Sequence, residues 1–167
     1  MPKILQAEGN VGIEDTGDNT FVFEFQSSRY RSRALKESPW NFFRNLLIFK
    51  EPIGLKSLRL MHFEETTIWV QFHNIPLAFM HEDILLKLGR QIGMVVDLYR
   101  GENGLHLGRF ARIRVRINIT QPLKKCIRIC AMRDEDDTIV LLVYGILPDF
   151  CYACGRLDHV YRDCEDD

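Results

Sequence analysis

From Phe110 to Ile119 apolar and polar side chains alternate almost without a break: Ala111, Ile113, Val115, Ile117 and Ile119 fall on one face, Phe110, Arg112, Arg114 and Arg116 on the other. Successive side chains of a strand point to opposite sides, so this pattern predicts a strand with one buried face and one basic face. The same alternation runs through Ile68-Trp-Val-Gln-Phe-His73, where Trp69, Gln71 and His73 share a face and Pro76 closes the run. Between these strands the period changes. Ile84, Leu85, Leu88 and Ile92 recur at helical spacing and predict a helix ending at Gly93 in a left-handed cap. Met94 to Tyr99 returns as a strand, and a loop with Gly101, Asn103-Gly104 and Gly108 leads into the basic strand. Lys124 to Met132 and Thr138 to Tyr144 read as a last hairpin, turned by Arg133-Asp-Glu-Asp-Asp137.

Upstream, Val11-Gly-Ile-Glu-Asp15 and Phe21-Val-Phe-Glu-Phe25 flank Thr-Gly-Asp-Asn and predict a hairpin. Ser27 or Ser28 can cap a helix that runs through Lys36, and Pro39 stops it before a strand at Asn45 to Phe49. The arginines Arg29, Arg31 and Arg33 read as a solvated helix face. The chain therefore divides into an incomplete ββαβ unit over 1–51, a linker over 52–66, a second α+β unit with the basic strand over 67–147, and a terminal segment over 148–167.

That terminal segment carries the most specific chemistry. Cys151, Cys154, His159 and Cys164 stand at the spacing C-x2-C-x4-H-x4-C. Three thiolates and an imidazole complete a tetrahedron around one Zn²⁺, and with no position left for water the site is structural, a CCHC zinc knuckle. In knuckles that bind single strands, an aromatic just after the first Cys and another two after the His form a cleft for an unpaired base. Tyr152 and Tyr161 occupy those positions, with Arg156 and Arg162 near enough to reach flanking phosphates. Asp158 stands where the retroviral-type knuckle has Gly, and brings a negative charge toward any phosphate.

Composition places the chain among ordinary folded proteins, since 46 % hydrophobic with 27 % charged is neither a disordered nor a membrane composition. The first residues lack a signal-peptide core, and five cysteines, an odd number, do not make a disulfide framework. An intracellular, reducing compartment follows, the nucleus favoured over the cytoplasm. The net charge of −1 hides an asymmetry: Ala111 to Arg133 carries seven Lys/Arg and no acid, Asp134 to Asp167 ten acids against two arginines. Alternate arginines on a strand sit about 6.5–7 Å apart, close to the phosphate spacing of an extended single strand. Arg112, Arg114 and Arg116, with Lys124 and Lys125, are therefore candidates to neutralise phosphates, unless Asp134 to Asp137 fold back on them. Cys126 and Cys130 read as ordinary strand residues, and His62, His73, His81 and His106 as scattered structural ones. No phosphate loop, nucleophile elbow or marked general base is present, and the acidic run reads as a solvated turn, so no enzymatic activity is expected.

Leu35-Lys-Glu-Ser-Pro-Trp40, Ile68 to Leu77, Gly108 to Ile117 running on to Thr120-Gln-Pro-Leu-Lys124, and Leu147-Pro-Asp-Phe-Cys-Tyr-Ala-Cys-Gly155 together resemble the signature blocks of plant proteins derived from non-LTR retrotransposons. Those proteins carry a domain of unknown function followed by a CCHC knuckle. The resemblance implies a nucleic-acid-binding accessory or coat-like protein, and, because family members have a further strand and helix before the first hairpin, a version truncated at its N-terminus. The expected fold is α+β, with ferredoxin-like or RNA-recognition-like βαβ units, the first truncated, followed by the knuckle. An RNA-recognition sheet would carry aromatics on its third strand where this chain has arginines. The expected partner is single-stranded RNA or DNA, RNA favoured, bound with low sequence specificity. The alternatives are a zinc-stabilised protein-interaction module that self-associates, or an inert element remnant.

Overall fold

Nine short strands and two α-helices account for the regular structure of the computed structural model, which describes residues 11–52, 54, 61–101, 108–130, 137–145, 147–157 and 159–165. In chain order they are β1 (Val11–Asp15), β2 (Phe21–Phe25), α1 (Ser28–Lys36), β3 (Trp40–Phe42), β4 (Asn45–Leu47), β5 (Glu65–His73), α2 (Glu82–Arg90), β6 (Met94–Leu98), β7 (Phe110–Asn118), β8 (Cys126–Ile129) and β9 (Thr138–Tyr144). The architecture is mixed α+β, mostly sheet. Strands β6-β7-β5-β9-β8 form one five-stranded sheet in that order, every neighbouring pair antiparallel. Strands β5 and β6 flank β7 and so run parallel, with α2 as the crossover between them. A ferredoxin-like unit places a second helix between its third and fourth strands; here β8 occupies that interval and pairs with the outer edge of β9.

The alternation that predicted these strands reappears as burial. Ile68, Val70 and Phe72 of β5 face the core, as do Ala111, Ile113, Val115 and Ile117 of β7, Val140 and Leu142 of β9, and Leu85 and Leu88 of α2. Strand β5 begins at Glu65, inside the expected linker, because Glu65 and Thr66 find partners in Asn118 and Ile117. The opposite face is open, and its register is Thr67 against Arg116, Trp69 against Arg114, Gln71 against Arg112 and His73 against Phe110.

Helix α2 does not end in a left-handed glycine. Gln91 closes it in the right-handed region, and Gly93 is absent from the positive-φ positions. What Gly93 supplies is space, since a Cβ there would lie 2.2 Å from the Arg116 carbonyl oxygen. The expected strand over Asn45 to Phe49 also differs. Phe43 and Arg44 both adopt left-handed backbone, φ +47° and +65°, so the chain reverses and Trp40–Phe42 pairs with Asn45–Leu47 as a hairpin of its own. Phe49 instead packs its ring edge-on to Phe23 at 4.9 Å, joining the β1–β2 hairpin to this region. Helix α1 carries its arginines on the surface, with Arg31 paired to Glu51 and Arg33 to Glu37. No helix among the described residues is long and apolar enough to cross a membrane.

Candidate metal centre and nucleic-acid interface

The segment after β9 turns back on itself at Cys151-Tyr-Ala-Cys154. The Gly155 amide donates to the Cys151 carbonyl at 2.8 Å and the Cys151 amide to the Arg156 carbonyl at 2.9 Å, with Gly155 in the left-handed region at φ +83°. That turn aims two thiols at one point, and a single 3₁₀ turn at Tyr161–Asp163 delivers Cys164 to it. The ligand atoms of Cys151, Cys154, His159 and Cys164 all lie within 4.8 Å of one another, and His159 directs Nε2 to the Cys154 sulfur at 3.3 Å. A tetrahedral site with Zn–S bonds near 2.3 Å separates its sulfurs by about 3.8 Å. The donors therefore sit close to the arrangement a metal ion requires, and three thiols with one imidazole suit zinc. Burial pushes the Cys151 thiol up, but hydrogen bonds from the Cys154 and Ala153 backbone amides and from the Cys164 and Cys154 thiols outweigh it and bring it down to about 7. Thiolate is the form a metal binds.

The Cys/His cluster is fastened to the sheet. Leu123 donates its amide to the Gly155 carbonyl at 2.7 Å, and Lys125 Nζ donates to the Ala153 carbonyl at 2.6 Å. A Cβ on Gly155 would lie 2.6 Å from the Leu123 carbonyl oxygen, so only glycine allows this approach. Phe150 bridges the two parts, its ring 5.9 Å from Tyr144 of β9 and 4.8 Å from Tyr152. Arg44, from the β3–β4 turn, forms an ion pair with Asp149. Lys125 is thus engaged in holding the Cys-Tyr-Ala-Cys turn, whereas Lys124 stays exposed and uses its carbonyl to accept the Tyr144 hydroxyl.

Of the expected base-stacking residues, Tyr152 is 61 % and Tyr161 72 % exposed, while Cys151 is fully buried. Arg156 and Arg162 are exposed beside them. Asp158 lies outside the described residues, as do His106, the Asn103-Gly104 part of the loop and Asp134 to Asp136.

The basic strand is less free than its sequence suggested. The Arg112 guanidinium lies over the Trp69 ring at 5.4 Å and the Tyr99 ring at 5.7 Å, and Arg114 lies over Trp69 at 6.0 Å while donating to the Lys36 carbonyl. Both Nε atoms are buried without a hydrogen-bond acceptor. Arg116 alone of the three is fully on the surface. Asp137 pairs with Arg128. Sequence reasoning missed Tyr99, whose place over Arg112 depends on β6 lying beside β7, and it missed the exposed Phe43. Strand β7 with the arginine row is two strand spacings, about 10 Å, from β9 and three, about 14 Å, from the edge strand β8, beside which the cluster is held.

A relative exists in Arabidopsis thaliana. An uncharacterized protein of that plant is 27 % identical over 97 residues, 58 % of this chain and 31 % of the relative. The match spans about a third of the relative's length. No family model matches the chain, and no solved structure matches it.

Proposed function

We propose that the protein binds single-stranded nucleic acid, RNA in preference to DNA, with low sequence specificity, and that Zn²⁺ in the Cys151, Cys154, His159 and Cys164 site holds the binding surface in shape. The observation that carries this reading is the pair of exposed tyrosines, Tyr152 and Tyr161, on backbone pinned from both sides by the metal ligands. An aromatic ring held rigidly in water stacks on any base at about 1–3 kcal/mol per base. Arg156, Arg162 and Lys124 flank that surface. Across the sheet, the Arg112 guanidinium lies over Trp69 and Tyr99 and Arg116 is exposed on the same face of β7, an arrangement that holds cations ready for phosphate. We read the five-stranded sheet as a ferredoxin-like variant with a strand in place of the second helix, and the whole as a retroelement-derived accessory protein of the nucleus that assembles on nucleic acid and catalyses nothing.

Fluorescence anisotropy of a labelled single-stranded oligonucleotide against zinc-loaded protein tests this, with Tyr152→Ala/Tyr161→Ala alongside. Micromolar or tighter binding that weakens steeply with salt and drops with the tyrosines supports it. Absence of binding at low salt by folded, metal-loaded protein refutes it.

One observation favours a second reading. Ile139, Leu141 and Val143 make an exposed apolar row on the open face of β9, which suits a protein-interaction surface that self-associates. Such association would hold or strengthen as salt rises.

A further inference from the structure

The tip of the β3–β4 hairpin combines two features that both oppose folding. Two-residue hairpin turns with positive φ at both central positions are built from Asn, Asp or Gly, because a side chain there crowds the backbone. This chain places Phe43 and Arg44 in them, at φ +47° and +65°. Phe43 is also 80 % exposed, more than any other large hydrophobic residue among the described ones, its ring set edge-to-face with Phe42 at 4.6 Å. Solvent exposure forfeits the burial that usually offsets the cost of ordering an aromatic side chain. The turn is nonetheless well held: Asn45 donates to the Phe43 carbonyl at 3.0 Å, and the Arg44 amide donates to Asn41 Oδ1 at 3.2 Å.

The tip is not remote from the candidate site. Arg44 donates from Nε at 3.1 Å and from its terminal nitrogen at 2.5 Å to one oxygen of Asp149, two residues before the first ligand Cys151. Phe150, the next residue, meets Tyr152 edge-on. One short stretch of chain thus carries Tyr152 and grips the hairpin that carries Phe43. The grip also neutralises Asp149, the acid that would otherwise repel phosphate beside the tyrosine.

We propose that Phe43 is a further base-stacking residue, and that the hairpin tip and the Cys/His segment form one composite surface for a single strand, with bases of the same strand resting on Phe43 and on Tyr152. This rests on the reading that the protein binds single-stranded nucleic acid. The ligand it names is an unpaired stretch of several nucleotides, long enough to engage both rings.

The test uses the full zinc-loaded chain and a labelled uridine-rich single strand of 12 nucleotides. Phe43→Gly removes the ring and relieves the left-handed backbone, so affinity falls about 5- to 150-fold, the worth of one stacked base, while the thermal midpoint stays level or rises. Phe43→Trp keeps the wild-type affinity. The fall in affinity without loss of stability is a combination that a merely structural residue would not give. Equal affinity of wild type and Phe43→Gly overturns the inference and leaves the nucleic-acid reading standing. Loss of stability and of affinity in both variants overturns it as well, since the ring would then be structural. Unchanged affinity with self-association lost from Phe43→Gly, followed by sedimentation, would assign the ring to a protein contact. A wild-type protein that binds no oligonucleotide at low salt removes the underlying reading itself.

Discussion

Replacing Gly155 by Ala tests whether the Cys/His segment and the sheet are one structure. Two separate costs are visible. Alanine at φ +83° occupies left-handed backbone, worth about 1–2 kcal/mol against it. Its Cβ would meet the Leu123 carbonyl oxygen at 2.6 Å, so the two segments must part and the Leu123 amide loses its bond to the Gly155 carbonyl, about another 1 kcal/mol. The sum, about 2–3 kcal/mol, falls on the folded, metal-holding form alone, and weakens zinc binding by about 30- to 150-fold. Competition against a chromophoric chelator at fixed pH measures it. Asn separates the two costs, because it tolerates left-handed backbone yet still carries the Cβ, so Gly155→Asn should recover only the first. A zinc affinity within threefold of wild type in Gly155→Ala would refute the docking argument.

Three further outcomes follow from the same geometry. Changing Arg112 and Arg116 together to Ala reduces the slope of log affinity against log salt for a single-stranded oligonucleotide by about 1.4, at about 0.7 per phosphate contact, and an unchanged slope in a titration series removes β7 from the interface. Leu85→Ala, at a fully buried position of α2, lowers unfolding free energy in urea by about 2–5 kcal/mol. Zinc affinity falls as pH drops from 8 to 6, because each thiol must lose its proton before it can bind the metal as thiolate. Cys151, held near 7, is ionised only above that value and protonated below it, so the loss steepens through pH 7; a flat profile by chelator competition would contradict the thiolate site.

What the sequence made legible is what short-range chemistry decides. Period-two alternation gave β5 and β7 with their two faces, because a half-buried strand writes its geometry into every second residue, whereas β9, apolar at nearly every position, was legible as a strand but not in its facing. The ligand set was legible because metal coordination fixes residue type and spacing at once. Less legible were features set by what lies across space. Gly93 looked like a helix cap and is a gap for the Arg116 backbone of a neighbouring strand. The run Asn45 to Phe49 is a strand only through Leu47, and its partner at Trp40–Phe42 went unread, because the reversal at Phe43-Arg44 uses residues that carry no turn signal. Strand order was equally invisible, and with it Tyr99 over Arg112.

Lys125 shows how position changes the meaning of a charge. In the sequence it joins Lys124 in a basic pair suited to phosphate. In the fold its ammonium reaches across to the Ala153 carbonyl, inside the turn that presents Cys151 and Cys154. A cation hydrogen-bonded to that carbonyl is partly withdrawn from any other anion, and its side chain is no longer free to follow a moving backbone. The same reasoning applies to Arg114, stacked on Trp69 and donating to the Lys36 carbonyl. Of the candidate phosphate contacts, Arg116, Lys124, Arg156 and Arg162 are then the ones left fully exposed, three of them on or beside the Cys/His segment. An electrostatic rim around rigid aromatic residues draws a polyanion in without dictating its sequence, and that is the pattern expected of a protein that coats single strands rather than reads them.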